Sequence, residues 1–178
     1  MEPWEKALDE FLVPWKKKKE VVGAIVCGSY VTGNPSKHSD IDVHIILKKG
    51  TKWRERGNEI VDGYLIEYFA NPPEQIEWYF KDDHKDNSFT APTMFLTGRI
   101  LFDDGSIVKL RRKANTLFKK RFEKMGDVGK ELSKYSLWDM LDNLRDSYEK
   151  EEPDFVFICH NMLNELYRKY AKYSQSIT

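Results

Sequence analysis

Residues 21–47 read VVGAIVCGSYVTGNPSKHSDIDVHIIL, and this stretch holds two apolar segments on either side of a polar linker. Residues 21–27 have the length and apolar content of a strand that is buried on both faces. Residues 42–47 are rich in β-branched side chains, which is typical of a second strand. The linker, residues 28–39, is rich in Gly, Ser, Asn and Pro. The stretch therefore predicts two core strands joined by a loop with at most one helical turn.

Two carboxylates stand at the head of the second predicted strand. Asp40 and Asp42 are two residues apart, so the alternation of a strand places both on one face, with their Cα atoms roughly 6.5 Å apart. Like charges at this separation repel each other, and oxygen-only ligands suit Mg²⁺ or Mn²⁺. We interpret the pair as a metal site, with acids of a surface turn as the alternative. His44 shares their face and either approaches the site or packs within the strand.

The linker begins with a Gly-Ser pair. Gly28 lets the backbone approach a ligand closely, and free N–H groups at a helical turn that starts at Ser29 suit a phosphate. An ordinary tight turn is the alternative for the same two residues. The sequence contains no G-x-x-x-x-G-K-[ST] motif, so this loop is not a P-loop.

A hairpin is predicted around Asp62-Gly63, because this pair lies between two apolar runs. Glu67 is the only charged residue in residues 64–70, where a carboxylate is costly unless it is paired or binds a metal. We expect Glu67 to lie next to the aspartate pair. An edge-strand charge that faces water is the alternative, and Glu59 and Asp62 are rival acids.

The second half of the chain changes its pattern. From Ile107 onward, apolar residues recur at helical spacing in three successive stripes. Strands in the first half followed by helices in the second indicate an α+β protein. We predict a sheet domain at residues 1–105 and a helical domain at residues 106–178.

Charge and composition exclude several classes of protein. Lys plus Arg number 29 and Asp plus Glu number 29, and this neutral balance argues against a dedicated nucleic-acid-binding protein. The two cysteines make no disulfide framework. The longest nearly apolar run is too short for a membrane helix, and the first residues lack the apolar region of a secretory signal. We therefore expect a cytoplasmic protein with no membrane contact.

The Gly28-Ser29 pair, followed by SDIDV at residues 39–43, resembles the signature of the DNA polymerase β-like nucleotidyltransferase superfamily. The predicted hairpin and residues 96–105, LTGRILFDDG, are similar to the aminoglycoside, lincosamide and minimal bacterial nucleotidyltransferases. The resemblance implies a mixed β-sheet nucleotidyltransferase core with a C-terminal helical part.

The resemblance also implies a role for each candidate residue. Three carboxylates would be catalytic and would hold two Mg²⁺ or Mn²⁺ ions, namely Asp40, Asp42 and Glu67. Many members have Asp where this chain has Glu67. Four residues would bind the nucleotide, namely Gly28, Ser29, Lys37 and Ser39. A solvated loop lysine is the alternative for Lys37.

The implied reaction moves a nucleoside monophosphate, AMP from ATP, to a hydroxyl of an aminoglycoside- or lincosamide-like small molecule and releases pyrophosphate. The alternatives are a protein-modifying enzyme of the minimal antitoxin type and a non-catalytic module that binds NTP or a partner. An RNA-tailing enzyme is disfavoured by the neutral charge. A polycationic acceptor would need an acidic wall from the helical half, for which four residues are available: Glu123, Asp139, Asp142 and Glu149. A homodimer is left open.

Overall fold

The computed structural model describes residues 1–122 and 124–174. The chain divides into two compact units, Met1–Lys120 and Arg121–Thr178. The first unit comprises α1 (Pro3–Lys16), β1 (Val21–Cys27), α2 (Ser29–Thr32), β2 (Ile41–Leu47), β3 (Glu55–Val61), β4 (Tyr64–Asn71), α3 (Pro73–Lys85), α4 (Thr90–Thr97), β5 (Arg99–Asp103) and α5 (Ser106–Phe118). The second unit comprises α6 (Asp127–Glu149) and α7 (Phe155–Ser174).

The strands form one sheet in the order β3-β4-β2-β1-β5. β2 and β4 are parallel, and the other neighbouring strands are antiparallel. Because β3 and β4 form a hairpin, β4 returns in the direction of β2 and can add to it as a parallel neighbour. The predicted α+β fold with a mixed sheet is confirmed.

The Asp62-Gly63 turn joins β3 to β4, as the sequence predicted. Both turn residues have positive φ, 49° and 81°, as in a type I′ turn, whose twist matches that of the flanking strands. A two-residue turn fixes the register of the whole hairpin, and here it places Arg56 opposite Phe69. The turn therefore decides which side chains of β3 stand near Glu67.

Each face of the sheet carries an apolar core. Val43 of β2 packs on the face covered by α1, whose Phe11 is buried in the same cluster. Ile46 of β2 belongs to the cluster on the other face, where α3 and α4 supply Phe80 and Phe95. The sheet is thus held from both sides, and its central strands have little freedom to shift.

α5 belongs to the same compact unit as the sheet. Its apolar side, which includes Ile107 and Leu110, is buried in the core shared with α3 and α4. The Asp103 carboxylate accepts hydrogen bonds from the N–H groups of Ile107 and Val108, at 2.8 and 3.1 Å, and so caps the start of the helix. The compact units divide after Lys120. The division into domains at residues 105 and 106 stays a prediction.

α6 and α7 make up the second unit, and they correspond to two of the three predicted apolar stripes. Ion pairs between residues one turn apart, such as Lys130 with Asp127, lie along α6. No helix within residues 1–122 and 124–174 is long and apolar enough to cross a membrane.

α4 was not predicted from the sequence. At its start, the N–H of Ala91 donates to Oδ2 of Asp83 at 2.6 Å. At its end, the Arg111 guanidinium donates to the carbonyl oxygens of Phe95 and Gly98 at 2.8 and 2.6 Å. These partners come from α3 and α5, so no local pattern within residues 90–97 reveals the bonds that hold the helix.

We predict that Arg111→Gln lowers the free energy of unfolding by about 2 kcal/mol, because two partly buried carbonyl groups lose charged donors. Urea denaturation followed by circular dichroism measures the change. Its neighbour Arg112 is exposed and supplies the matched control. Arg112→Gln should change the same free energy by less than about 0.5 kcal/mol. Equal effects of the two substitutions would contradict this role for Arg111.

Candidate active site

Three carboxylates meet at one end of the sheet. Asp42 of β2 lies opposite Glu67 of the parallel strand β4, and Asp40 is the residue before β2 begins. One carboxylate oxygen of each residue lies within 4.8 Å of the other two. All three side chains are half-buried. The structure thus brings together the three acids that the sequence singled out, which we call the carboxylate cluster.

The two rival acids lie elsewhere. Glu59 is opposite Ile66 in the hairpin register, so it shares the face of Ile66 and not the face of Glu67. Asp62 lies in the hairpin turn, with φ of 49°. Among the residues that the structure describes, neither belongs to the carboxylate cluster.

Gly28 closes one side of the carboxylate cluster. Its φ of 76° and ψ of −161° lie in a region that is essentially restricted to glycine. A Cβ atom at this position would stand 2.1 Å from Oδ2 of Asp42. Glycine is therefore required here for two reasons, the turn from β1 into α2 and the space that the Asp42 carboxylate occupies.

The other predicted nucleotide-binding residues lie on the segment between β1 and β2. Ser29 begins α2, where the first N–H groups have no partner within the helix. The Ser39 hydroxyl accepts a hydrogen bond from the Ser36 N–H at 2.8 Å and so closes the turn that precedes β2. Lys37 is exposed on the same turn. Nucleotide binding by Gly28 and these three residues stays a prediction.

The electrostatics of the carboxylate cluster favour a bound cation. Burial, and after it the charges of Asp40 and Glu67, raise the pKa of Asp42 to about 6. A divalent ion would bind the charged carboxylates and relieve their mutual repulsion. A set of oxygen ligands with this charge and separation fits Mg²⁺ or Mn²⁺. The residues present therefore fit the metal that the sequence resemblance implied.

Sequence reasoning missed Arg56. Its Nη2 donates to Oε1 of Glu67 at 2.7 Å, and its guanidinium carbon lies 4.7 Å from the centre of the Phe69 ring. The hairpin turn could have revealed this position. A two-residue turn at Asp62-Gly63 fixes the hairpin register and places residue 56 opposite residue 69. Arg56 therefore holds Glu67 on one side and borders a pocket on the other.

That pocket is open, has a volume of about 580 Å³, and lies on the same face of the sheet as the carboxylate cluster. It is lined by His44 and Phe69, which follow Asp42 and Glu67 by two residues on their strands, and by Met94 of α4. The His44 and Phe69 rings stack, with their centres 5.1 Å apart. Because α4 was not predicted, no sequence pattern indicated this pocket.

His44 is buried against this pocket without a hydrogen-bond partner. The side chain is only 8% exposed, and neither ring nitrogen has a partner among the described residues. Burial lowers the pKa of His44 to about 4, so the imidazole is neutral near pH 7. Of the two sequence interpretations, packing within the strand and approach to the site, the structure shows features of both.

Cys27 lies opposite Asp42 on the other neighbouring strand. Its thiol donates to the Met94 carbonyl oxygen at 3.2 Å. Burial, and after it the charge of Asp42, raise the pKa of this thiol to about 12. The thiol therefore stays protonated and packs in the core, and it is not a nucleophile of this site.

A comparison with known protein families finds a match in the part of the chain that holds the carboxylate cluster. Residues 6–90 match the family of the nucleotidyltransferase domain, and this range contains Gly28 and the whole carboxylate cluster. Over residues 6–90 the chain is therefore similar to nucleotidyltransferase domains. This finding agrees with the resemblance read from the Gly-Ser pair and the SDIDV segment.

A solved structure with a related chain trace is that of a nucleotidyltransferase-like protein from Exiguobacterium sibiricum. The two chains are 13% identical, with a TM-score of 0.47, and the match covers 92% of this chain and 55% of that chain. This chain thus spans about half the length of that protein. No curated protein sequence matches this chain.

Residues 6–90 contain the carboxylate cluster and the predicted nucleotide-binding residues, whereas the predicted acidic wall concerns residues outside this range. Glu123 lies outside the described residues. Asp139, Asp142 and Glu149 are exposed on α6 of the second unit. That these acids face an acceptor stays a prediction.

We predict that Gly28→Ala lowers the free energy of unfolding by about 3 kcal/mol, because of backbone strain and the displaced Asp42 carboxylate. Thermal and urea denaturation measure the loss. Gly33 is the matched control, because it also has positive φ, 84°, but nothing lies within 4 Å of a Cβ placed there. Gly33→Ala should cost only about 1 kcal/mol. Equal losses would show that Asp42 does not need the space beside Gly28.

We further predict that Mn²⁺ or Mg²⁺, at about 100 times the dissociation constant, raises the free energy of unfolding by about 2.7 kcal/mol at pH 8. Below about pH 6 this stabilisation should fade, because protons compete for Asp42. The folded pKa of Asp42 lies above its ordinary value of 3.8, so its titration stabilises the metal-free protein as the pH falls through about 6.

The variant Asp42→Asn separates these two effects. It should be more stable than the metal-free wild type at pH 8, because the repulsion within the carboxylate cluster is reduced, and it should lose the stabilisation by metal. Glu59→Gln, on the opposite face of the sheet, should keep the full response to Mn²⁺. Scanning calorimetry from pH 5 to 8 measures the stability of each variant with and without Mn²⁺. If Mn²⁺ stabilises Asp42→Asn as much as the wild type, the metal site is refuted.

Proposed function

We propose that this protein transfers a nucleoside monophosphate, AMP from ATP, to a hydroxyl group of a small molecule and releases pyrophosphate. The carboxylate cluster, with its ligand oxygens within 4.8 Å of one another, carries the proposal. The nucleotidyltransferase domain at residues 6–90 supports it. Aminoglycoside- and lincosamide-like compounds are the acceptors that the sequence resemblance suggests.

The donor nucleotide would lie between the Gly-Ser turn and the carboxylate cluster. The cluster would hold Mg²⁺ or Mn²⁺, two ions in the full complex, and such ions neutralise phosphate charge during transfer. The N–H groups at the start of α2, beginning with Ser29, would receive the β- and γ-phosphates. Because Gly28 has no Cβ atom, the Asp42 carboxylate has space to lie beside these N–H groups.

The chemical step is an in-line displacement at the α-phosphorus. The acceptor oxygen forms the new P–O bond while the bond to the oxygen that bridges the α- and β-phosphates breaks, and pyrophosphate leaves with that electron pair. The hydroxyl proton passes to Glu67, which Arg56 holds in position from β3. The protein contributes mainly alignment of the reactants and neutralisation of charge.

The two alternative functions would use the same donor site. A protein hydroxyl could replace the small molecule as acceptor, and a non-catalytic module could bind NTP without turnover. The complete set of three carboxylates favours catalysis over simple binding, because the third acid adds repulsion that a mere nucleotide-binding site does not need.

The donor site is tested by titrating the full chain with Mg²⁺ and α,β-methylene-ATP in a calorimeter. Asp42→Asn should abolish measurable binding while the circular dichroism spectrum is unchanged. With ATP labelled at the α-phosphate, AMP transfer by this variant should fall at least about 10³-fold, or about 4 kcal/mol of transition-state stabilisation.

Glu59→Gln is the matched control, because it removes an acid from the same hairpin on the opposite face of the sheet. It should bind the analogue as the wild type does. If Asp42→Asn also binds the analogue with unchanged affinity, the carboxylate cluster is not the donor site. If the wild type binds it and transfers no AMP to any of a broad panel of hydroxyl compounds or proteins, the non-catalytic alternative is correct.

A further inference from the structure

The pocket beside the carboxylate cluster lies on one particular side of the cluster. The sheet order β3-β4-β2-β1-β5 puts Ser29, at the end of β1, on one side of Asp42. The pocket lies on the other side, because its sheet residues belong to β2, β4 and β3 and its remaining wall to α3 and α4. All of these elements belong to the first compact unit.

This placement assigns the pocket to the acceptor, provided that the proposed function holds. In an in-line displacement the attacking and leaving oxygens lie on opposite sides of the phosphorus. With pyrophosphate leaving toward Ser29, the attacking hydroxyl comes from the side of β4. The first side chains met on that side are Glu67 and Arg56, and directly behind them lies the pocket.

The acids that border the pocket are already engaged. The Glu55 carboxylate accepts a hydrogen bond from the Tyr68 hydroxyl at 2.8 Å and pairs with Lys18 at 3.7 Å, on the sheet face away from the pocket. The Asp83 carboxylate accepts the N–H of Ala91 at the start of α4. Each of these two acids therefore already has a partner within the protein.

Two arginines also line the pocket, and both have N–H groups available to a ligand. Arg54 is exposed at its rim and forms no ion pair with any residue in the described part of the chain. Arg56 uses Nη2 for Glu67, which leaves its other N–H groups available. A planar guanidinium suits a carboxylate, which accepts two parallel hydrogen bonds from it.

Two aromatic rings line the inner side of the pocket. His44 and Phe69 stack at an angle of 20° between their rings. The two buried ring nitrogens of His44 lack partners, and each such group costs about 1–3 kcal/mol when it stays unsatisfied. Because both ring nitrogens are buried, His44 offers a ligand in the pocket apolar ring contact and not a hydrogen bond.

We propose that this pocket binds the acceptor and selects a flat hydroxylated molecule that carries a carboxylate, not a polycation. The ring of the acceptor lies against His44 and Phe69, its carboxylate is held by Arg54, and its hydroxyl is directed past Arg56 toward Glu67. Of the acceptor classes raised by the sequence resemblance, a polycationic aminoglycoside fits this lining least.

Two probes of almost equal shape and opposite charge test the proposal. They are 3-(4-hydroxyphenyl)propionate and tyramine, which share a phenol ring and a two-carbon arm. Each is titrated by NMR into the full chain saturated with Mg²⁺ and α,β-methylene-ATP, and kanamycin is titrated as the polycation. We expect the propionate to bind at least about tenfold more tightly than tyramine or kanamycin.

Substitutions in the pocket test which residues cause the preference for the propionate over tyramine. Arg54→Gln should abolish the difference between propionate and tyramine, whereas Arg112→Gln, an exposed arginine of α5 outside this pocket, should leave the difference intact. Phe69→Leu should weaken both probes to a similar extent. In none of these variants should the affinity for α,β-methylene-ATP change more than about twofold.

The outcomes separate this inference from the proposed function. If the nucleotide analogue binds but the propionate binds no better than tyramine or kanamycin, the inference fails and the proposed function stands. The same conclusion follows if Arg54→Gln leaves the preference unchanged. If the analogue does not bind with Mg²⁺, the proposed function fails, and the assignment of the pocket to an acceptor fails with it.

Discussion

The parallel pairing of β2 with β4 sets three carboxylates side by side, and their mutual repulsion is the main constraint on this end of the sheet. Asp42 and Glu67 are opposite each other in that register, and Asp40 stands one residue before the strand. Burial and the two neighbouring charges raise the pKa of Asp42 to about 6. Three features of the structure accommodate the carboxylate cluster. They are a rigid supporting sheet, the space beside Gly28, and the Arg56 guanidinium that donates to Glu67.

The rigid support comes from the two apolar cores that enclose the central strands. α1 covers one face of the sheet, and α3, α4 and α5 cover the other except at the end where the carboxylate cluster lies. Burial of this kind supplies the main stabilising free energy of a domain, so the sheet can tolerate local repulsion and strain. The cost is concentrated in a few positions: Asp42 with its raised pKa, Gly28 in its glycine-only backbone region, and His44 without partners.

Two features, Arg56 and α4, connect the carboxylate cluster to the adjoining pocket. Arg56 contacts both Glu67 and Phe69, so one side chain links the cluster to the adjoining pocket. α4, held at its start by Asp83 and at its end by Arg111, forms the far wall of that pocket. Because the helix is fixed by partners on α3 and α5, the pocket is a property of the sheet unit itself. In the proposed function, Arg54 and Arg56 in its lining would distinguish one hydroxyl acceptor from another.

The local sequence determined the elements whose signals are contained within a few residues. The alternation of residues 42–47 and the Asp62-Gly63 turn were enough to predict two core strands and the hairpin, and the lone acid in residues 64–70 singled out Glu67. The strands and the hairpin follow from period-two alternation and from the dihedral angles of a two-residue turn, which depend only on neighbouring residues. The resemblance to nucleotidyltransferases was visible for the same reason, because the residues that carry it lie in one continuous segment. The position of Glu67 beside the aspartates needs the pairing of β2 with β4, and the resemblance to the superfamily implied it.

Tertiary structure alone decided α4, the pocket and the state of His44. The bonds that hold α4 come from residues 83 and 111, and the pocket needs five separate elements. The His44 ring is buried because Phe69 and Phe95 cover it. None of these contacts has a sequence period or a fixed spacing. They depend on how helices pack on a sheet, and that packing is set by the sum of many weak apolar contacts distributed along the chain.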